Sequence, residues 1–211
     1  MPLPVIAAEG EWSAVGMYTS LRRITTEQLA SLQTNPGLTA RYVDPDDDEY
    51  GWAEGFPQGP VLDLDKSWQV LHYLLNGDPV GGEPPLKDAV MGRTAIGESM
   101  AYGHAHYLTP DQVSAVANAL NGIEETRLRA AFDPAKLDEA KVYPGAWLPR
   151  IPAPEPKGLF RGRNARSEAI AQARSRQMTE FLDFAMGRYR ALVAFYHEAA
   201  TKGEAVLVWI A

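Results

Sequence analysis

An acid, a base and an aromatic ring lie close together in the stretch Leu62–Gly77. Asp65 and His72 are seven positions apart, or two helical turns, so both side chains fall on roughly one face of a helix. With Tyr143, they suggest a small-molecule enzyme pocket in which Asp65 orients His72 for acid–base chemistry. Along one straight helix, however, two turns place the Asp65 carboxylate and the His72 imidazole too far apart for direct contact. The structural alternative is that Trp68 packs in the core and His72 makes a buried hydrogen bond.

His104 and His106 form a second group that could do chemistry. Residues two apart on a strand point to the same face, so the two imidazoles could bind one metal ion. His72 or an acidic residue would have to supply a third ligand. Because two histidines alone do not complete a metal site, we expect no metal and no other cofactor. The alternative is a metal site that uses His104 and His106.

An acidic run, Asp44–Glu49, resembles a calcium-binding loop in composition. An EF-hand loop needs glycine at its sixth position and glutamate at its twelfth. Counted from Asp44, these positions hold Glu49 and Gly55, so the register fails. We therefore expect a solvated acidic surface that meets a basic protein partner. The residues expected to contact this partner are Asp46, Asp47 and Asp48.

A turn flanked by aromatic residues, Val142–Trp147, contains Tyr143-Pro144-Gly145. Exposed tyrosine and tryptophan are enriched at protein interfaces, so Tyr143 and Trp147 could form a pocket wall or the lip of a partner-binding surface. The structural alternative is a rigid turn that packs both rings against the edge of a sheet.

Composition excludes several classes of function. The chain has 211 residues, a net charge of −7 and no cysteine. The negative charge argues against nucleic-acid binding, and the absence of cysteine rules out disulfides and thiolate chemistry. The sequence also lacks a Gly-x-Ser-x-Gly elbow, a complete phosphate-binding loop, a signal peptide and a membrane-length apolar run. We expect a cytoplasmic protein.

Local signals predict the elements that must position these residues. Two capping-box pairs each predict the start of a helix. They are Thr25 with Gln28 and Thr109 with Gln112. The Leu62–Gly77 stretch predicts a helix from Asp63 to Asn76 with Gly77 as its C-terminal glycine. A long helix is predicted from about Ser167 to Thr201. Strands are predicted near 17–24, 94–98 and 100–108.

The continuous apolar run Ala205–Ile210 is typical of a strand buried on both faces, and we expect this strand to lie centrally in a small sheet covered by helices. Helices surround few strands without strict alternation, which indicates an α+β fold with a small mixed sheet that includes this C-terminal strand. Residues 1–15 are predicted to be an N-terminal extension. Residues 16–211 are predicted to be a single domain with a Pro/Arg-rich insertion near 149–176.

Several segments together resemble the YfbM-like family (DUF1877), a bacterial domain of unknown function. The matching segments include Gly16-Met17-Tyr18, Asp65-Lys66-x-Trp68-x-x-Leu71-His72, Pro85-Leu86-x-x-Ala89-Val90-x-Gly92, Tyr102-Gly103, Tyr107-Leu108-Thr109-Pro110, Phe132-Asp133-Pro134 and Val142-Tyr143-Pro144-Gly145. The likeness spans about residues 16–211 and omits residues 1–15 and much of 149–176.

The resemblance implies a compact α+β domain and assigns no activity. Stand-alone domains of this kind are often interaction or immunity proteins, which is an association rather than a mechanism. The leading hypothesis is therefore a protein-binding role without catalysis, with neutralisation of a toxin as its most concrete form. The enzyme pocket of Asp65, His72 and Tyr143 is the alternative.

Overall fold

The computed structural model of the protein describes residues 16–43, 59–100, 102–145 and 163–211. The strands are β1 (Thr19–Ile24), β2 (Val61–Asp63), β3 (Thr94–Met100), β4 (Gly103–Leu108) and β5 (Ala205–Ile210). The helices are α1 (Thr26–Thr34), α2 (Thr39–Val43), α3 (Trp68–Asn76), α4 (Asp88–Met91), α5 (Pro110–Asn121), α6 (Glu125–Ala131), α7 (Pro134–Glu139) and α8 (Arg163–Lys202). Single 3-10 turns at Pro36–Leu38 and Asp65–Ser67 precede α2 and α3.

The five strands form one sheet in the order β2-β1-β5-β4-β3, and β5 lies at its centre as predicted. Every pairing between these strands is antiparallel, so the expectation of a mixed sheet is wrong. The reason is connectivity: β3 and β4 form a hairpin, and β5 returns from the long helix to lie between β1 and β4. The α+β class is confirmed.

Each face of the sheet carries its own core. Side chains of β5 alternate between the two: Val206 and Val208 pack with α3–α8, whereas Leu207 and Trp209 pack with α1 and α2. A strand buried on both faces needs apolar residues at every position, which explains the continuous apolar run at the C-terminal end.

The two predicted capping boxes are confirmed. Thr25 Oγ1 accepts the backbone N–H of Gln28, and the Gln28 side chain accepts the N–H of Thr25, which opens α1. Thr109 and Gln112 make the same reciprocal pair at the start of α5. These interactions satisfy backbone donors that have no partner inside the helix.

The predicted Asp63–Asn76 helix is only partly correct. Asp63 pairs with Ser20 as the last residue of β2, and the α-helix begins at Trp68. Asp65 between them has a positive φ of 51°, which interrupts the helix path. The end is as predicted, with Gly77 in the left-handed conformation after Asn76.

The long C-terminal helix is confirmed and starts four residues earlier than predicted, at Arg163 rather than Ser167. It buries Met186, Leu192 and Tyr196 against the sheet, and the Tyr196 hydroxyl donates to the Ala89 carbonyl. No helix in the described part of the chain combines the length and apolar character needed to cross a bilayer.

Candidate functional site

Three segments that are distant in the sequence meet around Gly16. A Cβ at residue 16 would lie 2.7 Å from Lys66 Cε, 2.9 Å from the Tyr143 hydroxyl and 3.3 Å from the Tyr18 hydroxyl. The Lys66 ammonium also lies 5.5 Å from the centre of the Tyr18 ring, within cation–π range. Glycine at position 16 therefore allows one cation and two phenol groups to approach the same point of the backbone.

Hydrogen bonds to the main chain fix this arrangement. The Met17 N–H donates to the Tyr143 hydroxyl at 3.0 Å, and the Trp68 indole N–H donates to the Met17 carbonyl at 3.2 Å. The Tyr143 N–H donates to the Gln69 side-chain oxygen. Because the Trp68 and Tyr143 rings are also stacked, with centroids 6.2 Å apart, the start of α3 and the 142–145 turn are held together.

A third tyrosine, Tyr102, belongs to the same end of the sheet. It lies in the turn between β3 and β4, and the antiparallel order places this turn beside the end of β5 and the start of β1. Tyr102 and Tyr18 are both near enough to Tyr143 to influence its pKa. Tyr102 is 44% exposed, so its ring is accessible from solvent.

Two carboxylates lie where β2 ends at the same end of the sheet, in the segment that leads to Lys66. Asp63 is exposed at the end of β2, and its Oδ1 accepts the Asp65 N–H at 2.6 Å. Asp65 Oδ1 in turn accepts the Lys66 N–H, also at 2.6 Å, which stabilises the turn. We call the surface formed by Tyr18, Asp63, Asp65, Tyr102 and Tyr143 the tyrosine end of the sheet.

Tyr143 is suited to hydrogen bonding rather than to proton abstraction. Burial raises its pKa above the ordinary value, although the Met17 hydrogen bond and the Lys66 charge oppose this effect. The phenol therefore keeps its proton at neutral pH. Its oxygen accepts from Met17 and its O–H can donate to a ligand.

His72 lies elsewhere, although the sequence suggested a shared pocket. Its side chain is fully buried, and its Nε2 donates to the Gly81 carbonyl at 2.9 Å. Burial lowers the His72 pKa, opposed by that hydrogen bond and by Asp78 and reinforced by Lys87. Neither Asp65 nor Tyr143 is among these influences. The structure therefore matches the structural alternative, in which His72 makes a buried hydrogen bond.

His104 and His106 lie on β4, paired with Ser99 and Ala95 of β3. His104 Nδ1 donates to the Gly97 carbonyl at 3.1 Å, and His106 packs against Gly92. Burial lowers the His106 pKa. Within the described ranges, no group of three or more His, Cys, Asp or Glu side chains is arranged to hold a metal ion.

The remaining predicted partner-binding residues, Asp46, Asp47, Asp48 and Trp147, lie outside the described residues. Tyr18, Lys66 and Tyr102 were not proposed from the sequence as site residues. A signal for them was present, because each lies in a segment that carries the family resemblance. Their meeting at one end of the sheet depends on strand order, which local patterns do not reveal.

Comparison with known proteins agrees with this resemblance. A family model described as "Domain of unknown function (DUF1877)" matches residues 15–160. Protein YfbM of Escherichia coli K12 is 31% identical over 88 residues, which cover 40% of this chain and 52% of YfbM. The chain thus spans about half the length of the curated relative it matches.

A solved structure has a similar fold over most of this chain. The crystal structure of YfbM from Escherichia coli, a protein of unknown function, superposes with a TM-score of 0.57 at 19% identity. The match covers 92% of this chain and 99% of that chain. At this identity the comparison shows a shared fold and carries no information about activity.

Proposed function

We propose, from the premise that this chain belongs to the DUF1877 family of domains of unknown function, that it is a non-catalytic protein-binding domain. In this proposal the tyrosine end of the sheet recognises a basic segment of another protein. The observation that carries the proposal is the convergence of Tyr18, Tyr102 and Tyr143 at the end of the sheet where β2 ends at Asp63 and leads to Asp65. An immunity protein that neutralises a toxin in the cytoplasm is its most specific form.

The chemistry of the surface favours a basic partner. Tyrosine rings attract lysine and arginine side chains through their faces, and phenol groups donate and accept hydrogen bonds at interfaces. Among the described residues named at this end of the sheet, the two carboxylates of Asp63 and Asp65 exceed the one ammonium group of Lys66. The net charge of −7 acts in the same direction, because it attracts a basic partner at long range.

The rigidity of the surface supports binding. Met17, Trp68, Gln69 and Tyr143 are joined by main-chain and side-chain hydrogen bonds, so the Tyr143 ring is fixed before a partner arrives. A surface that is already ordered loses less conformational entropy on association. The exposed Tyr102 and Asp63 then contribute contacts at the rim.

Two features argue against the alternative of a small-molecule enzyme. His72 is sealed from solvent, and the pKa of Tyr143 is raised, so neither group is positioned to act as an accessible general base. Asp65 uses its carboxylate to stabilise its own turn. In this proposal Asp65, His72 and Tyr143 do not act together as one catalytic group.

The proposal is tested with a fluorescent hexa-arginine peptide and a hexa-glutamate control. The double variant Asp63→Asn and Asp65→Asn removes two charges but keeps the side-chain oxygens that accept the backbone N–H groups. Asparagine also tolerates the positive φ at position 65. We expect hexa-arginine affinity, measured by fluorescence anisotropy, to fall about two- to thirtyfold, since each of two exposed ion pairs contributes about 0.2–1 kcal/mol.

A matched double variant separates this site from the general acidity of the protein. Asp78→Asn with Asp111→Asn also removes two charges, and Asp78 likewise accepts backbone N–H groups of its own loop. These residues lie after α3 and at the start of α5, away from the tyrosine end. Equal loss of affinity in the two double variants, or preference for hexa-glutamate, contradicts the proposal.

A further inference from the structure

A cavity of about 330 Å³ lies between the edge strand β3 and the segment that leads into α2. Its walls include Pro36, Thr39 and Ala40 on the helical side and Glu98, Ser99 and Met100 on the strand side. This volume falls at the lower end of the range for small-molecule sites. Met100 pairs with Gly103 at the β3–β4 turn, so the cavity is near Tyr102.

A bulge in β3 forms part of the cavity wall. Ile96 pairs with Ala105 and Ser99 pairs with His104, so two residues, Gly97 and Glu98, are inserted opposite one step of β4. Gly97 adopts a φ of 77°, and its carbonyl accepts the His104 Nδ1–H.

The fit of α2 against the bulge is close. A Cβ at Gly97 would be 2.7 Å from Thr39 Cβ, so α2 packs directly on the bulge. Glu98 is consequently displaced from the regular strand and placed at the cavity wall.

The lining has a distinct chemistry. Glu98 is exposed and, within the described residues, forms no ion pair. The Ser99 hydroxyl adds a second acceptor, whereas Pro36, Ala40 and Met100 provide apolar walls. A cavity lined by one carboxylate, a hydroxyl and several apolar side chains is complementary to a cationic group that carries a short aliphatic stem.

We infer that this cavity binds an alkylammonium or alkylguanidinium group, with Glu98 as its counter-ion. The group could belong to a free amine or to a lysine or arginine side chain of a protein partner. In the second case the inference rests on the proposed function, because the cavity would then accept one side chain of the segment that binds the tyrosine end. The chemistry at Glu98 is the same in both cases.

The test uses ¹⁵N-labelled full-length protein titrated separately with agmatine and with hexa-arginine. We expect agmatine to shift the amide signals of Gly37, Ser99 and Met100.

Glu98→Gln should weaken agmatine binding by about tenfold, as expected for loss of a charge-assisted hydrogen bond. Glu124→Gln, another exposed glutamate, serves as the matched control and should leave agmatine binding unchanged. Ala40→Leu fills the cavity from the opposite wall and should also weaken binding.

The outcomes separate the two proposals. Agmatine binding that depends on Glu98, without hexa-arginine binding, supports the cavity site and overturns the proposed function. Hexa-arginine binding at the tyrosine end with no agmatine shifts around the cavity overturns this inference and leaves the proposed function intact. Equal agmatine affinity in wild type and Glu98→Gln also overturns the inference.

Discussion

His72 shows how a residue that could do chemistry takes a structural role. Its imidazole is fully buried with Nε2 bonded to Gly81, and Nδ1 has no hydrogen-bond partner among the described residues. The sequence correctly placed His72 on a helix beside Trp68. It could not reveal that the loop after Gly77 returns to cover the imidazole, because that contact depends on the path of the loop.

The burial of His72 predicts a pH-dependent stability. Its pKa is lowered in the fold, so below its ordinary value of 6.5 the unfolded chain takes up a proton that the folded chain resists. The contribution of neutral His72 is therefore complete above about pH 6.5 and is lost as pH falls towards its folded pKa. His72→Gln keeps a donor for Gly81 but cannot titrate.

We expect the unfolding free energy of wild type, measured in urea at pH 7, 6 and 5, to fall more steeply than that of His72→Gln. The difference for one group is limited to about 1.4 kcal/mol per pH unit. His106, whose pKa is also lowered, contributes equally to both proteins. His197→Gln, at an exposed position of α8, serves as the matched histidine-to-glutamine control. Parallel curves for wild type and His72→Gln contradict this account of His72.

At the scale of elements, local chemistry predicts helix starts well where a side chain satisfies the backbone. Thr25 and Thr109 carry such signals, and both helices begin one residue later. Asp63 looked like a similar cap but pairs with Ser20 in the sheet. Tertiary pairing overrode the local signal there, because a three-residue strand is too short to produce a recognisable alternation.

The cap of α5 predicts a measurable stability. Thr109→Ala removes the oxygen that accepts the Gln112 N–H, so we expect a loss of about 1 kcal/mol in unfolding free energy. Thr201→Ala, an exposed position in the last turn of α8 rather than at a cap, should change stability by less than about 0.5 kcal/mol. Chemical denaturation of both variants gives the comparison, and equal losses would show that the cap has no special contribution.

At the scale of the whole molecule, the sequence predicted the α+β class and the central position of β5. The apolar run Ala205–Ile210 predicted the central strand, because a strand covered on both faces needs apolar residues along its whole length. The tyrosine end could not be predicted. Tyr18, Tyr102 and Tyr143 are brought together by the strand order and by the turn after α7, and neither is encoded in a local pattern.

The acidic segment with Asp46, Asp47 and Asp48 stays a prediction, since it lies outside the described residues. It offers a second place where a basic partner could bind. Reversing these three charges should weaken binding without unfolding the protein if the segment takes part. The tyrosine end and the acidic segment are therefore distinguishable locations for the same proposed activity.

The central claim is that the tyrosine end binds a basic protein segment, and mapping by ¹⁵N NMR tests it most directly. Labelled wild-type protein is titrated with hexa-arginine at about 150 mM salt, where weak long-range attraction is screened. We predict the largest amide shifts at Tyr18, Asp65, Tyr102 and Tyr143. Shifts confined to residues 44–49, or spread evenly over the surface, would contradict the claim.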